Sequence, residues 1–254
     1  MTSISASDDD IALTARSGRR SLLRAALGGG ALLGGGAVLG TGLVAATAAP
    51  AGAATIGRER PTTPVSALHE LVRGNRRWQQ LREVHPHEGA ADRLAAVSGQ
   101  HPFALILGCI DSRVPPELVF DQGLGDLMTV RSAGEVLDEA VLGSIAYGVL
   151  ELDIPLVMVL GHQSCGAVSA AVHAEETGEE LPAHIAYIAE QIRPAIDHDQ
   201  TGAARVDATV TANVRLVRAR LAAEPDLAAR VRSGRLAIVG ARYELAGQAV
   251  GLLR

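Results

Sequence analysis

Cys109 and Cys165 are the only cysteines in this 254-residue chain, and each sits in a short polar stretch that follows an apolar run. Ala-Leu-Ile-Leu-Gly leads into Cys109-Ile110-Asp111-Ser112-Arg113, and Leu-Val-Met-Val-Leu-Gly leads into His162-Gln163-Ser164-Cys165-Gly166. Two thiolates and one imidazole make a good zinc donor set that leaves a fourth position for water. His162 and Cys165 are three residues apart, but Cys109 is distant in sequence, so only the fold can complete such a set. Asp111 and Arg113 are two apart, and alternate residues of an extended stretch share a side. An Arg partner keeps a carboxylate ionised, and an ionised carboxylate beside a metal can orient the group the metal carries. Two more ordinary readings stand beside these. An Asp and an Arg so spaced are often a surface pair, and two cysteines in an exported protein often form a disulfide.

The flanking elements decide whether the two stretches can meet. Phe103 to Leu107, Leu127 to Val130, Leu156 to Leu160 and Leu236 to Val239 are short apolar runs, read as buried strands, and Gln248 to Leu253 reads as a fifth strand paired back through a turn. Helical patterns cover Leu137 to Leu150 and roughly 166–176, 183–196 and 203–223. Thr63-Pro64 reads as a helix cap followed by Pro at the first helical position. In that leading helix Leu68, Leu71, Val72, Trp78 and Leu81 fall roughly on one face. Strands alternating with helices predict an α/β fold with a mostly parallel central sheet flanked by helices. Sites in such sheets gather beyond the carboxyl ends of the strands. Both polar stretches lie at such ends, so one pocket can contain Cys109, His162 and Cys165.

Composition supports the same class. Apolar residues make up 48% of the chain but aromatics only 2%, so the core is built from Ala, Val, Leu and Ile, as buried parallel strands favour. The net charge is -5, and without residues 1–51, which hold four Arg and three Asp, it is -6. No basic run remains, which argues against nucleic acid as a partner. Residues 1–51 read as a targeting segment. Ser-Gly-Arg-Arg-Ser-Leu-Leu-Arg occupies 17–24, and an uncharged Gly/Ala-rich stretch follows, with small residues before Ala51 and Ala53 as cleavage points. The Arg19-Arg20 pair with Leu22-Leu23 resembles the twin-arginine export motif. That implies a twin-arginine translocase as partner and a location across a bacterial cytoplasmic membrane, with a membrane anchor as the alternative if the segment stays uncleaved. Residues 52–63 read as a linker and 64–254 as one domain.

The stretches 108–117 (Gly-Cys-Ile-Asp-Ser-Arg-Val-Pro-Pro-Glu) and 161–166 (Gly-His-Gln-Ser-Cys-Gly) resemble the two signature blocks of beta-class carbonic anhydrases, and the similarity runs from about Val72 to Leu253. The resemblance implies Zn2+ bound by Cys109, His162 and Cys165, and a catalytic dyad of Asp111 and Arg113. It further implies a substrate contact from Gln100, nine residues before Cys109, and a backbone N–H from Gly166 to a bicarbonate oxygen. The implied reaction is reversible hydration of carbon dioxide to bicarbonate and a proton, in a homodimer or larger homo-oligomer. Two positions depart from the family pattern. Glu135 stands where the family usually has Asn. Ile106 stands in the Trp place of an inhibitory bicarbonate pocket of which Arg131 and Tyr243 occupy two other places, so that pocket is expected to be incomplete. The rival readings are a hydrolase of carbonyl sulfide or carbon disulfide on the same scaffold, a zinc-binding protein without catalysis, and a disulfide-stabilised binding module.

Overall fold

Strands β1 (Ala104–Gly108), β2 (Leu127–Arg131), β3 (Leu156–His162) and β4 (Ala237–Glu244) lie parallel, and β5 (Ala249–Leu253) returns antiparallel beside β4. The structure, a computed structural model, describes residues 60–254. The proposed targeting segment, including Arg19-Arg20, and linker residues 52–59 lie outside the described residues. Arg60, in the last part of that linker, donates to the carbonyls of His101 (3.3 Å) and Leu124 (3.1 Å).

The strand order is β2-β1-β3-β4-β5. From β1 the chain crosses to β2 on one side, while β3 lies on the other, so a crevice opens at the carboxyl ends of β1 and β3, the usual place for a site in an open parallel sheet. Every residue of β1 and β3 is buried, because helices cover both faces. Ala104 and Ile106 of β1 and Met158 of β3 pack with Ala67 and Leu71 of α1 (Pro64–Gln79). Leu105, Leu107, Val157 and Val159 pack on the other face with Val141 and Ile145 of α4 (Glu139–Leu150) and Val214 and Val217 of α7 (Gly202–Ala223). Burial on both faces is why these strands read as continuous apolar runs without alternation.

Local signals account for several element ends. Thr63 caps α1 in a capping box with Ser66, and Asp138 caps α4 by accepting from the Val141 N–H at 2.8 Å. The predicted helix over 183–196 is shorter, α6 (Ala183–Ile192), and gives way to a single 3-10 turn at Arg193–Ala195, where Pro194 has no N–H to continue the helix. Leu81 does not join the buried face of α1, since it lies past the helix end at φ 53° and is 79% exposed. Three short helices were not expected: α2 (Ala90–Ala95), α3 (Pro116–Val119) and α8 (Pro225–Arg232). The last carries a readable signal, with Pro225 and Asp226 in its first turn and Arg230 and Arg232 in its last. Strand β4 also runs five residues beyond Val239.

One close approach makes a stability prediction. Gly74 of α1 crosses the Phe120 backbone so tightly that a Cβ there would lie 1.7 Å from the Phe120 carbonyl oxygen. The Gly74→Ala chain should lose about 1–3 kcal/mol of stability through overpacking, measured as a lower urea midpoint at unchanged slope.

Candidate metal centre

Cys109 directly follows β1, His162 ends β3, and Cys165 caps α5 (Gly166–Thr177). Gly108 of β1 pairs with Leu160 of β3, so both strands deliver their next residues to the same edge. There the two sulfurs and one imidazole nitrogen lie within 4.8 Å of one another, all three residues buried. The sulfurs are 3.9 Å apart, well beyond the ~2.05 Å of a disulfide, and both cysteines are free.

The donors have the chemistry a divalent cation requires. His162 Nδ1 faces the Gln163 carbonyl oxygen at 2.9 Å, which sets Nδ1 as the protonated nitrogen and leaves Nε2 with its lone pair. That Nε2 is fully buried with no hydrogen-bond partner, an arrangement a coordinated metal resolves. The hydrogen bond from Cys165, with contributions from His162 and the Gly134 and Asp111 backbone, holds the Cys109 thiol well below the usual range. The same shared hydrogen bond, with burial, pushes the Cys165 thiol up. Two buried sulfurs so close do not both ionise unaided, and a bound cation removes that conflict, because a coordinating thiol is deprotonated outright.

Asp111 stands beside the donors, with Oδ2 3.9 Å from His162 Nε2. Arg113 donates from Nε to Asp111 Oδ1 at 2.9 Å and from Nη2 to Oδ2 at 2.7 Å, and the Arg113 backbone N–H also reaches Oδ1 at 2.9 Å. This fork holds the Asp111 carboxyl well below the usual carboxylate range. An apolar cavity of about 370 Å3 opens onto Cys109, Asp111 and Gly166, walled by Ala133, Ala167, Ile185 and Ile188 among others. Gly166 is the first residue of α5, where N–H groups have no acceptor within the helix. Gln100 is not brought to this cavity. It is exposed, in the stretch leading to β1.

The departures from the expected pattern also have definite places. Arg131 is engaged with the ligand loop, donating to the carbonyls of Cys109 (2.8 Å), Asp111 (2.6 Å) and Val114 (3.5 Å). Ile106 is buried in the core, and the Tyr243 hydroxyl instead accepts from the indole N–H of Trp78 on α1 at 3.1 Å. Glu135 is buried beneath the site at 2% exposure, and burial, reinforced by the charge of Cys109, drives its carboxyl well above the usual range. Asn213 of α7 lies against it and was not anticipated. Its signal was a polar residue among Val210, Val214 and Val217, on the face of α7 that packs inward.

Three candidate ligands at the switch point of a parallel sheet, rather than a closed set of four, fit the pattern of a catalytic zinc site better than that of a structural one. Comparison with known proteins is in agreement. The carbonic anhydrase family model matches residues 104–250. Carbonic anhydrase 2 of Mycobacterium tuberculosis is 43% identical over 186 residues, which is 72% of this chain and 90% of the relative. A carbonic anhydrase of Mycolicibacterium smegmatis is 42% identical over 193 residues, covering 75% and 94%. The solved beta-carbonic anhydrase CcaA superposes with a TM-score of 0.60 at 25% identity, over 74% of this chain and 95% of that one. The chain belongs to the carbonic anhydrase family, in its beta class.

Proposed function

We propose that this chain hydrates carbon dioxide reversibly to bicarbonate and a proton, with zinc held by Cys109, His162 and Cys165. The observation that carries this reading is the buried, partnerless Nε2 of His162 facing two sulfurs beside a charged Asp111. Zinc held by Cys109, His162 and Cys165 would supply a water-derived nucleophile at neutral pH. Asp111, kept ionised by Arg113, accepts a hydrogen bond and fixes the direction in which that nucleophile points. The Ala and Ile walls of the cavity admit apolar carbon dioxide, and the Gly166 N–H receives the oxygen that becomes charged. Gln100, exposed and away from the cavity, has no part in this reading. The test is carbon dioxide hydration by the zinc-loaded protein with carbonyl sulfide as competing substrate. Hydration unaffected by the sulfur analogue is expected, and hydrolysis of carbonyl sulfide without hydration would transfer the site to that chemistry.

Assembly as a homodimer or larger follows from the same reading. Helix α2 buries none of its residues, and Leu94 and nearby Val97 are 76% and 83% exposed, an apolar arm suited to a second copy. Sedimentation should give at least a dimer, and a fully active monomer would count against this.

Export by the twin-arginine route is the remaining part of the proposal, supported by Arg19-Arg20 and the uncharged stretch that follows. That route carries folded proteins, which suits a thiolate site. Loading zinc in a reducing cytoplasm protects both sulfurs before they meet an oxidising compartment. Changing Arg19-Arg20 to Lys-Lys should trap zinc-loaded, active precursor in the cytoplasm. Unchanged secretion would refute the route, and a metal-free, unfolded precursor would refute loading before transport.

A further inference from the structure

Asn213 sits in the middle of α7 at 1% exposure, a costly place for an amide unless its hydrogen bonds have a purpose. Its Nδ2 donates to the Gly134 carbonyl at 2.8 Å and approaches Glu135 Oε2 at 3.5 Å. On the other side of the same residue, the Gly134 N–H donates to Cys109 Sγ at 3.5 Å. The turn between these two contacts is conformationally demanding. Gly134 has φ 64° and Glu135 φ 55°, consecutive left-handed residues of which the second is not glycine. Such a turn persists only where its surroundings hold it. Gly134 itself cannot be bulkier, since a Cβ would lie 2.7 Å from Ile192 Cδ1.

We propose that Asn213 is a positioning residue of the metal centre: by holding the Gly134 carbonyl it keeps the Gly134 N–H on the Cys109 sulfur. The inference rests on Cys109 being a zinc ligand. An N–H donor on a coordinating sulfur draws off charge that the sulfur would otherwise give to the metal, and partners of this kind commonly alter metal affinity by about 10–100-fold. Glu135 serves the same turn. Its Oε2 lies 3.5 Å from Asn213 Nδ2, on the same turn.

The test uses the full chain loaded with 113Cd in place of zinc and labelled with 15N. Coupling between the Gly134 amide proton and the cadmium, passing through the sulfur, is expected in the unaltered protein. Asn213→Leu should abolish that coupling and release zinc to a chelator about tenfold faster or more, while its circular dichroism stays unchanged. A folded Asn213→Leu chain with the coupling and the release rate of the parent would overturn the proposal, leaving Asn213 a packing residue. Should that variant fail to fold, the unaltered protein decides alone, because stoichiometric cadmium without coupling at Gly134 contradicts the geometry. Failure to take up stoichiometric cadmium would overturn the ligand assignment itself, and the proposal with it.

Discussion

Cys165→Ala will leave the chain without stoichiometric zinc and without measurable carbon dioxide hydration. The sulfur is buried and lies 3.9 Å from that of Cys109. Its loss leaves one thiolate and one imidazole, with no other His, Cys, Asp or Glu donor among the described residues grouped with them. Asp111 is close to His162, but its carboxylate is already committed to Arg113. The loss should therefore be near complete, and metal content and rate should fall together because hydration depends on the metal. Elemental analysis against protein concentration measures the first, and proton release on mixing with carbon dioxide the second. In the parent protein, a thiol count after denaturation and zinc removal should find two thiols. A Cys165→Ala chain that kept one zinc per subunit would show the ligand set to be wrong, and a missing pair of thiols would point to a disulfide.

Asp111→Asn should separate binding from catalysis. Zinc content is expected to stay at one per chain, because all three donors remain, while turnover falls about 10–100-fold, the usual scale for losing an orienting partner beside a metal. The amide retains an oxygen but not the charge that pairs with Arg113, and its NH2 side presents donors where an acceptor is needed. The fork from Arg113 keeps Asp111 ionised through the mildly acidic range, so a fall in activity just below neutral pH does not come from its protonation. The linkage has a definite sign. A carboxyl held low adds stability above its ordinary pKa, and that stability is lost progressively as pH falls from there to the lower folded value. Because Arg113 is largely exposed, the amount is small, and Asp111→Asn should change rate far more than unfolding midpoint.

Residues that act through their immediate sequence neighbours were legible without coordinates. The Thr63-Pro64 start of α1, the apolar runs of β1 and β3, and the polar stretches after them depend on a few adjacent residues, so their placement survives tertiary packing. Helix α8 opens on a Pro225 start signal but is too short for periodicity to reveal, and α6 stops before Pro194 although the apolar pattern continues to Ile196. Leu81 continues the period of α1 but lies beyond the helix end.

The amino-acid sequence by itself determined the class of fold and the strand-end motifs that carry Cys109, His162, Cys165 and the Asp111–Arg113 pair. Only the tertiary structure decided what surrounds them. It engages Arg131 with three carbonyls of the ligand loop, gives Tyr243 a partner in Trp78, and leaves Gln100 exposed away from its own cavity. It also brings Asn213 to Gly134, 79 residues away. Periodicity, caps and turn residues act over a few positions, where sequence is an adequate guide. Hydrogen bonds between polar atoms far apart in the chain depend on strand register and on which helix face meets the sheet, and those are set by the packing of the whole core.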